Sequence, residues 1–286
     1  MEKRIISVFS TACEPILTHN DFRERRRIIK DLFVKRDYLA IFTNPDLTDV
    51  YVAEYSPSRA LCYHQLFSTS PTLSDALQSA KLIYSIGAGS GGELAGITAA
   101  LNSIRPSHRV TIHSQDIADY SSAIIPLEAA LLEEFKHASV DSQTSCFNIL
   151  STEPLHVQQK SSLVSKADII TSFFILNELL ANSKKEFVQF VKLLVTGMKP
   201  GALLVVVDSA GSFSEVNVGK KGGKAAESSA ADTPPSTYMV YNLLDAIQAF
   251  EVVEKSDSQW YRYPEGLYYP IKLNNMRHFL RVYRKI

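Results

Sequence analysis

The chain has 286 residues, 45% of them hydrophobic, with 21% charged residues and a formal net charge of zero. That is enough apolar material for one large domain, and a neutral balance excludes a protein built as a whole to coat nucleic acid, so any RNA contact has to come from a local patch. No apolar run approaches the roughly 20 residues of a membrane helix, the N-terminus "MEKRIISVFS" has no signal-peptide core, and Cys13, Cys62 and Cys146 are too scattered for a disulfide framework or a zinc site. These features predict a monomeric protein that is not secreted and uses neither a membrane nor a metal.

Residues 1–80 read as a helical appendage. "DFRERRRIIKDLFVKRDYLAIF" places Phe22, Ile29, Leu32 and Phe33 near helical spacing, with seven Lys or Arg between Arg23 and Arg36. That is a basic amphipathic helix, suited to phosphates or simply to solvent. "SPSRALCYHQLFS" and "TLSDALQSA" predict two further short helices opened by Ser or Thr.

From Lys81 strands and helices alternate, and residues 81–286 read as one α/β domain. "KLIYSIG", "HRVTIHSQD", "SCFNILS", "ADIITSFFI" and "ALLVVVD" are the predicted strands. Their continuous apolar runs suit a parallel sheet covered on both faces, with "GGELAGITAALNSI", "SSAIIPLEAALLEEFK" and "SKKEFVQFVKLLVTGM" as the covering helices. Residues 219–236, "GKKGGKAAESSAADTPPS", carry no aromatic, Leu, Ile or Val and predict a disordered insertion. "TYMVYNLLDAIQAF" predicts a helix, and "EVVEKSDSQWYRY" with "RHFLRVYRKI" a late antiparallel pair.

The densest signal is "YSIGAGSGGELAG", Tyr84 to Gly96, where four glycines fall within six residues between a strand and a helix. Glycines there let a backbone approach a ligand, and the helix N-terminus favours groups that accept hydrogen bonds. Gly87, Gly89 and Gly91 fit GxGxG, while Gly87, Gly89 and Gly92 fit the dinucleotide pattern GxGxxG, so spacing alone leaves the ligand open. Asp116 ends the second strand, as a ribose ligand or as a turn residue. Asn177 and Glu178 follow the fourth strand and Asp208 ends the fifth, all on the edge where such sheets bind ligands. The C-terminal aromatics Trp260, Tyr261, Tyr263, Tyr268 and Tyr269 suit either core packing or stacking on a base.

A single sheet closed by a late hairpin resembles the S-adenosylmethionine (SAM)-dependent methyltransferase fold, Rossmann-like and mostly parallel. The stretches "PSRALCYHQLF", "FFILNELL", "VVVDSAGSFSEV" and "YYPIKLNNMRHFLRVYRK", with the glycine loop, resemble the fungal large-subunit rRNA uridine-N3-methyltransferase family. The resemblance implies SAM as cofactor and large-subunit rRNA or a pre-ribosome as partner. It also implies a cytoplasmic, nuclear or nucleolar location. Gly87, Ala88, Gly89, Gly91 and Gly92 would lie along the cofactor, Asp116 on its ribose and Glu153 on its adenine. Asn177, Glu178 and Asp208 are then the catalytic candidates, Glu178 or Asp208 as the base that takes the N3 proton. A small-molecule methyltransferase, or an assembly factor that keeps the fold without catalysis, are the alternatives.

Overall fold

The computed structural model describes residues 1–35, 37–211, 214–215 and 237–286. The predicted insertion at 219–236 lies outside them. Six helices come first: α1 (Glu2–Ala12), α2 (Glu14–Leu17), α3 (Phe22–Lys35), α4 (Tyr38–Phe42), α5 (Pro45–Thr69) and α6 (Pro71–Ser79). The alternating part follows as β1 (Leu82–Ile86), α7 (Gly92–Ile104), β2 (Val110–Asp116), α8 (Ser121–Glu134), β3 (Val140–Cys146), α9 (Pro154–Lys166), β4 (Ile169–Phe173), α10 (Leu176–Asn182), α11 (Lys184–Gly197) and β5 (Leu203–Ser209). The short pair β6 (Ser214–Glu215) and β7 (Thr237–Tyr238), α12 (Val240–Asp245), β8 (Phe250–Tyr261) and β9 (Met276–Lys285) complete it.

The main sheet runs β3-β2-β1-β4-β5-β9-β8. Its first five strands are parallel, and β9 is antiparallel to both β5 and β8. Alternate strand residues feed two cores. Ile83, Ile112, Ile169, Val205 and Val282 face one side with α1 to α8, while Tyr84, Ile170, Leu204, Val206 and Tyr283 face the other with α9 to α12. The N-terminal helices share their core with the sheet, so no boundary between hydrophobic cores falls at residue 80.

Three local expectations are corrected. The predicted third strand "SCFNILS" begins too late: the strand is "VDSQTSC", and Phe147, Ile149 and Leu150 are buried in the loop after it. An edge strand keeps polar residues because it is not covered on both faces. The predicted short helix "SPSRALCYHQLFS" is part of one 25-residue helix, α5, which runs through Pro57. Proline removes the N–H that would bond the carbonyl of residue 53. Here the Tyr269 hydroxyl donates to the Ala53 carbonyl at 2.9 Å and replaces it. Ser56 does not cap a helix but donates from inside α5 to the Ser90 carbonyl in the glycine loop at 2.7 Å. The helix predicted in "TYMVYNLLDAIQAF" is confined to Val240–Asp245.

Gly96 explains how α5 seats against α7. A Cβ there would stand 2.6 Å from the Ala60 carbonyl oxygen, so the two backbones meet at a distance only glycine allows. This contact brings α5 to the carboxyl edge of the sheet, beside the glycine loop.

Candidate active site

A cavity of about 350 Å³ opens at the carboxyl edge of the parallel strands, beyond the ends of the neighbouring β1 and β4, where the chain order of the sheet reverses. Gly87, Gln115, Asp116, Asn148 and Ile149 line it from the end of β2 and the loops after β1 and β3. Phe173, Phe174, Ile175 and Glu178 line it from the end of β4 and α10. The helical layer closes the remaining side with Tyr38, Leu39 and Phe42 of α4 and Tyr51 and Arg59 of α5.

The glycine loop turns back on the end of β2. Gly87 and Ala88 donate to the Gln115 carbonyl at 2.7 and 3.1 Å. Gly87 and Gly91 have φ of +69° and +76°, which favour glycine. The Gly89 amide donates to Asp116 Oδ2 at 2.9 Å and Ala118 donates to Oδ1 at 3.1 Å. A Cβ at Gly89 would run into the Tyr120 ring and lie 2.6 Å from Asp116 Cβ, so the absent side chain is what lets Asp116 and Tyr120 close on the loop. Gly91 opens α7 as its N-cap, and Gly92 begins that helix against Tyr63 and Arg59. Of the glycine-loop candidates Gly87 lines the cavity, while Ala88, Gly89, Gly91 and Gly92 shape the turn behind it.

Four acids and one guanidinium gather here. Burial pushes the carboxyls of Glu93 and Glu178 up to about 8 and raises those of Asp116 and Asp208. For Glu178 the carboxylates of Asp208 and Asp116 add to the rise, and the Arg59 guanidinium opposes it. Asp208 is drawn the other way by hydrogen bonds from the Ser209 amide at 2.7 Å and from Asn177, whose amide donates at 3.3 Å. Asp208 and Asn177 therefore stand together behind Glu178, and of these three Glu178 lines the cavity. Phe174, next to them, has φ of +55°, a conformation that costs energy in a non-glycine residue and often marks a functional turn.

Glu153 does not join the site. It is exposed at the N-cap of α9, 3.5 Å from His156, while Asn148 and Ile149 occupy the cavity wall after β3. Lys160 fixes that wall by donating to the Ile149 and Ser151 carbonyls at 2.8 and 2.7 Å. Sequence reasoning missed Arg59, Tyr51, Asn148 and Ile149. The one available signal for Arg59 was its place in "PSRALCYHQLF". Among the C-terminal aromatics, Tyr261 and Tyr269 are buried in the core, and Trp260 and Tyr268 are exposed outside the cavity.

Residues 9–284 match the model of a family described as "Putative SAM-dependent methyltransferase". The chain belongs to that family. It is similar over 291 aligned residues, at 29% identity, to the 25S rRNA (uridine(2843)-N(3))-methyltransferase of Saccharomyces cerevisiae, covering 92% of this chain and 78% of that one. Among solved structures it is similar to a SAM-dependent methyltransferase from Methanosarcina mazei, at 19% identity and a TM-score of 0.44, covering 77% of this chain and 99% of that one. It is also similar to TehB from Haemophilus influenzae, at 14% identity and a TM-score of 0.43, covering 78% and 67% of the two chains.

The cavity's chemistry fits SAM. The Asp116 carboxylate accepts the backbone N–H groups of Gly89, Ala118 and Ile117 and has acceptor capacity left, which suits vicinal ribose hydroxyls. Gln115 Oε1 is buried without a partner among the described residues. An excess of carboxyl groups over the single guanidinium suits a ligand that carries a sulfonium and an ammonium. Among the described residues no cluster of His, Cys, Asp or Glu could hold a metal, and no helix is long and apolar enough to cross a membrane.

Proposed function

We propose that this chain transfers a methyl group to N3 of a uridine in large-subunit rRNA. The observation that carries the reading is the 29% identity, over 92% of the chain, to an enzyme named for that reaction. It is supported by a half-buried carboxyl group in the cavity, that of Glu178, whose basicity is raised by its surroundings, since the reaction needs a base. N3 of uridine is protonated at neutral pH, and its lone pair is released only when a base takes the proton. N3 also lies on the pairing edge of the base, so the uridine enters unpaired or flipped out of its stack.

Bound in the cavity, SAM supplies an electrophilic methyl on sulfur. The residues that would hold it are Gly87 and its loop, Asp116 at the ribose, and Asn148 with Ile149 at the far wall. Glu178 is the base. A carboxyl raised by burial, once ionised beside the positive charges of bound SAM, is a stronger proton acceptor than an ordinary carboxylate and better matched to the weakly acidic N3–H. Asp208 is a positioning residue: its oxygens are engaged by Ser209 and Asn177, and it fixes the turn from which α10 presents Glu178. The reading implies work on pre-ribosomal RNA in the nucleus or nucleolus.

Mass spectrometry of large-subunit rRNA nucleosides from cells lacking the gene tests this. The expected result is the loss of 3-methyluridine, restored by the wild-type gene. An unchanged nucleoside profile overturns the reading.

A further inference from the structure

Arg59 is the one cationic side chain on the cavity wall among the described residues. Among the described residues it makes no ion pair at contact distance, although the Glu93 carboxyl is close enough to interact with its charge, and its one side-chain hydrogen bond runs from Nη1 to the Tyr51 hydroxyl at 2.6 Å. A guanidinium has five N–H donors in a fixed fork, so most of its donors remain unused beside the open space. Three rings surround it: its Cζ lies 5.4 Å from the Tyr51 ring centroid, 5.8 Å from Tyr55 and 5.3 Å from Phe174. The rings hold the side chain in one place without consuming its donors. Glu178 faces the same cavity. A chamber with aromatic walls, a fixed donor and a carboxyl acceptor matches a planar base better than it matches the carboxylate of an amino-acid tail.

We propose that Arg59 is a catalytic residue that donates to a carbonyl oxygen of the flipped uracil, while Glu178 accepts the N3 proton of the same base. This rests on the uridine-N3 reading above. When N3 gives its proton to Glu178, the negative charge spreads onto the flanking carbonyl oxygens, and a guanidinium at one of them stabilises the anion. The N3 electron pair then forms the bond to the methyl carbon, and the carbon–sulfur bond breaks with its pair left on sulfur. The same two residues discriminate against cytosine. Cytosine's N3 carries no proton, so acceptor would face acceptor at Glu178, and its amino group stands where uracil has O4, so donor would also face donor when O4 is the oxygen that Arg59 holds.

The test uses large subunits and protein-free large-subunit rRNA from cells lacking the gene, with labelled SAM. Wild type, Arg59→Lys, Arg59→Met and Arg59→Ala are compared in single-turnover rate at saturating SAM, and SAM affinity is measured separately by calorimetry, which also shows that each variant is folded. We expect Arg59→Met to lose about 100-fold in rate, the cost of removing one preorganised donor, with SAM affinity unchanged. Arg59→Lys should retain part of the rate, and added methylguanidinium should restore part of it to Arg59→Ala but none to Glu178→Gln. A parallel loss of SAM affinity and rate would assign the guanidinium to the cofactor and overturn the inference, as would a wild-type rate in Arg59→Met. Failure of the wild-type chain to form 3-methyluridine on either substrate would instead bring down the underlying reading, and this inference with it.

Discussion

The two walls of the cavity are built on different principles. The sheet-edge wall is local: Gly87, Gln115 and Asp116 are placed by two strand ends and a tight turn whose hydrogen bonds close within the loop. The helical wall depends on distant segments. Arg59 and Tyr51 reach the site because α5 meets α7 at Gly96, and because Tyr269, 216 residues from Ala53, supplies the bond that Pro57 cannot. On the proposed reading, binding of the cofactor is concentrated in one wall, and acceptance of the substrate depends on the packing of the other.

Changes at the chemical centre should separate these walls most sharply. Glu178→Gln is expected to lose ~100-fold or more in methyl transfer while SAM binding persists, the usual range for a general base. The deficit should shrink as pH rises and uridine N3 ionises unaided. Wild-type turnover by Glu178→Gln across the pH range would remove Glu178 from this role.

The sheet-edge wall should show the opposite signature. Asp116→Asn removes a charged acceptor from the ribose position and should weaken SAM by about 10- to 100-fold, the worth of a hydrogen bond to a charged group. Gly89→Val forces a side chain into Tyr120 and Asp116, and should also lower the melting temperature, since overpacking costs about 1–3 kcal/mol. Calorimetry and thermal melts check both. Normal SAM affinity in folded Gly89→Val would show that the loop does not need that close approach.

Tyr269→Phe addresses the helical wall alone. It leaves the Ala53 carbonyl buried without its donor, a loss of about 1–3 kcal/mol in stability. The transfer rate should fall while SAM affinity holds, because α5 carries Arg59. Equal losses in both would mean that the two walls are not separable.

The last expected effect is in stability against pH. Glu93 and Glu178 ionise near 4.5 when unfolded and near 8 when folded. Below about 4.5 both states are protonated, and between 4.5 and 8 only the unfolded chain releases the protons, so stability of the ligand-free protein falls across that window. Glu178→Gln should flatten the slope and melt higher than wild type at pH 8. A melting temperature that rises from pH 5 to 8 more steeply in wild type than in the variant would contradict the sign.

The sequence by itself determined the alternating sheet, the glycine loop and the acids at strand ends, because each is written in a short contiguous stretch whose periodicity or turn chemistry is local. It also carried Glu178 and Asp208 to the right edge, though not the order in which they face the cavity. Only the tertiary structure decided the rest. It moved the third strand into "VDSQTSC", where exposure of an edge permits polar residues, and it set Asn148 and Ile149 on the wall while leaving Glu153 in solvent. It ran α5 straight through Pro57 and turned Arg59 into the site. The physical reason is common to all of these: a buried carbonyl, a close backbone approach or a guanidinium beside four carboxyl groups takes its energy from partners far away in the chain, and no local pattern records who those partners are.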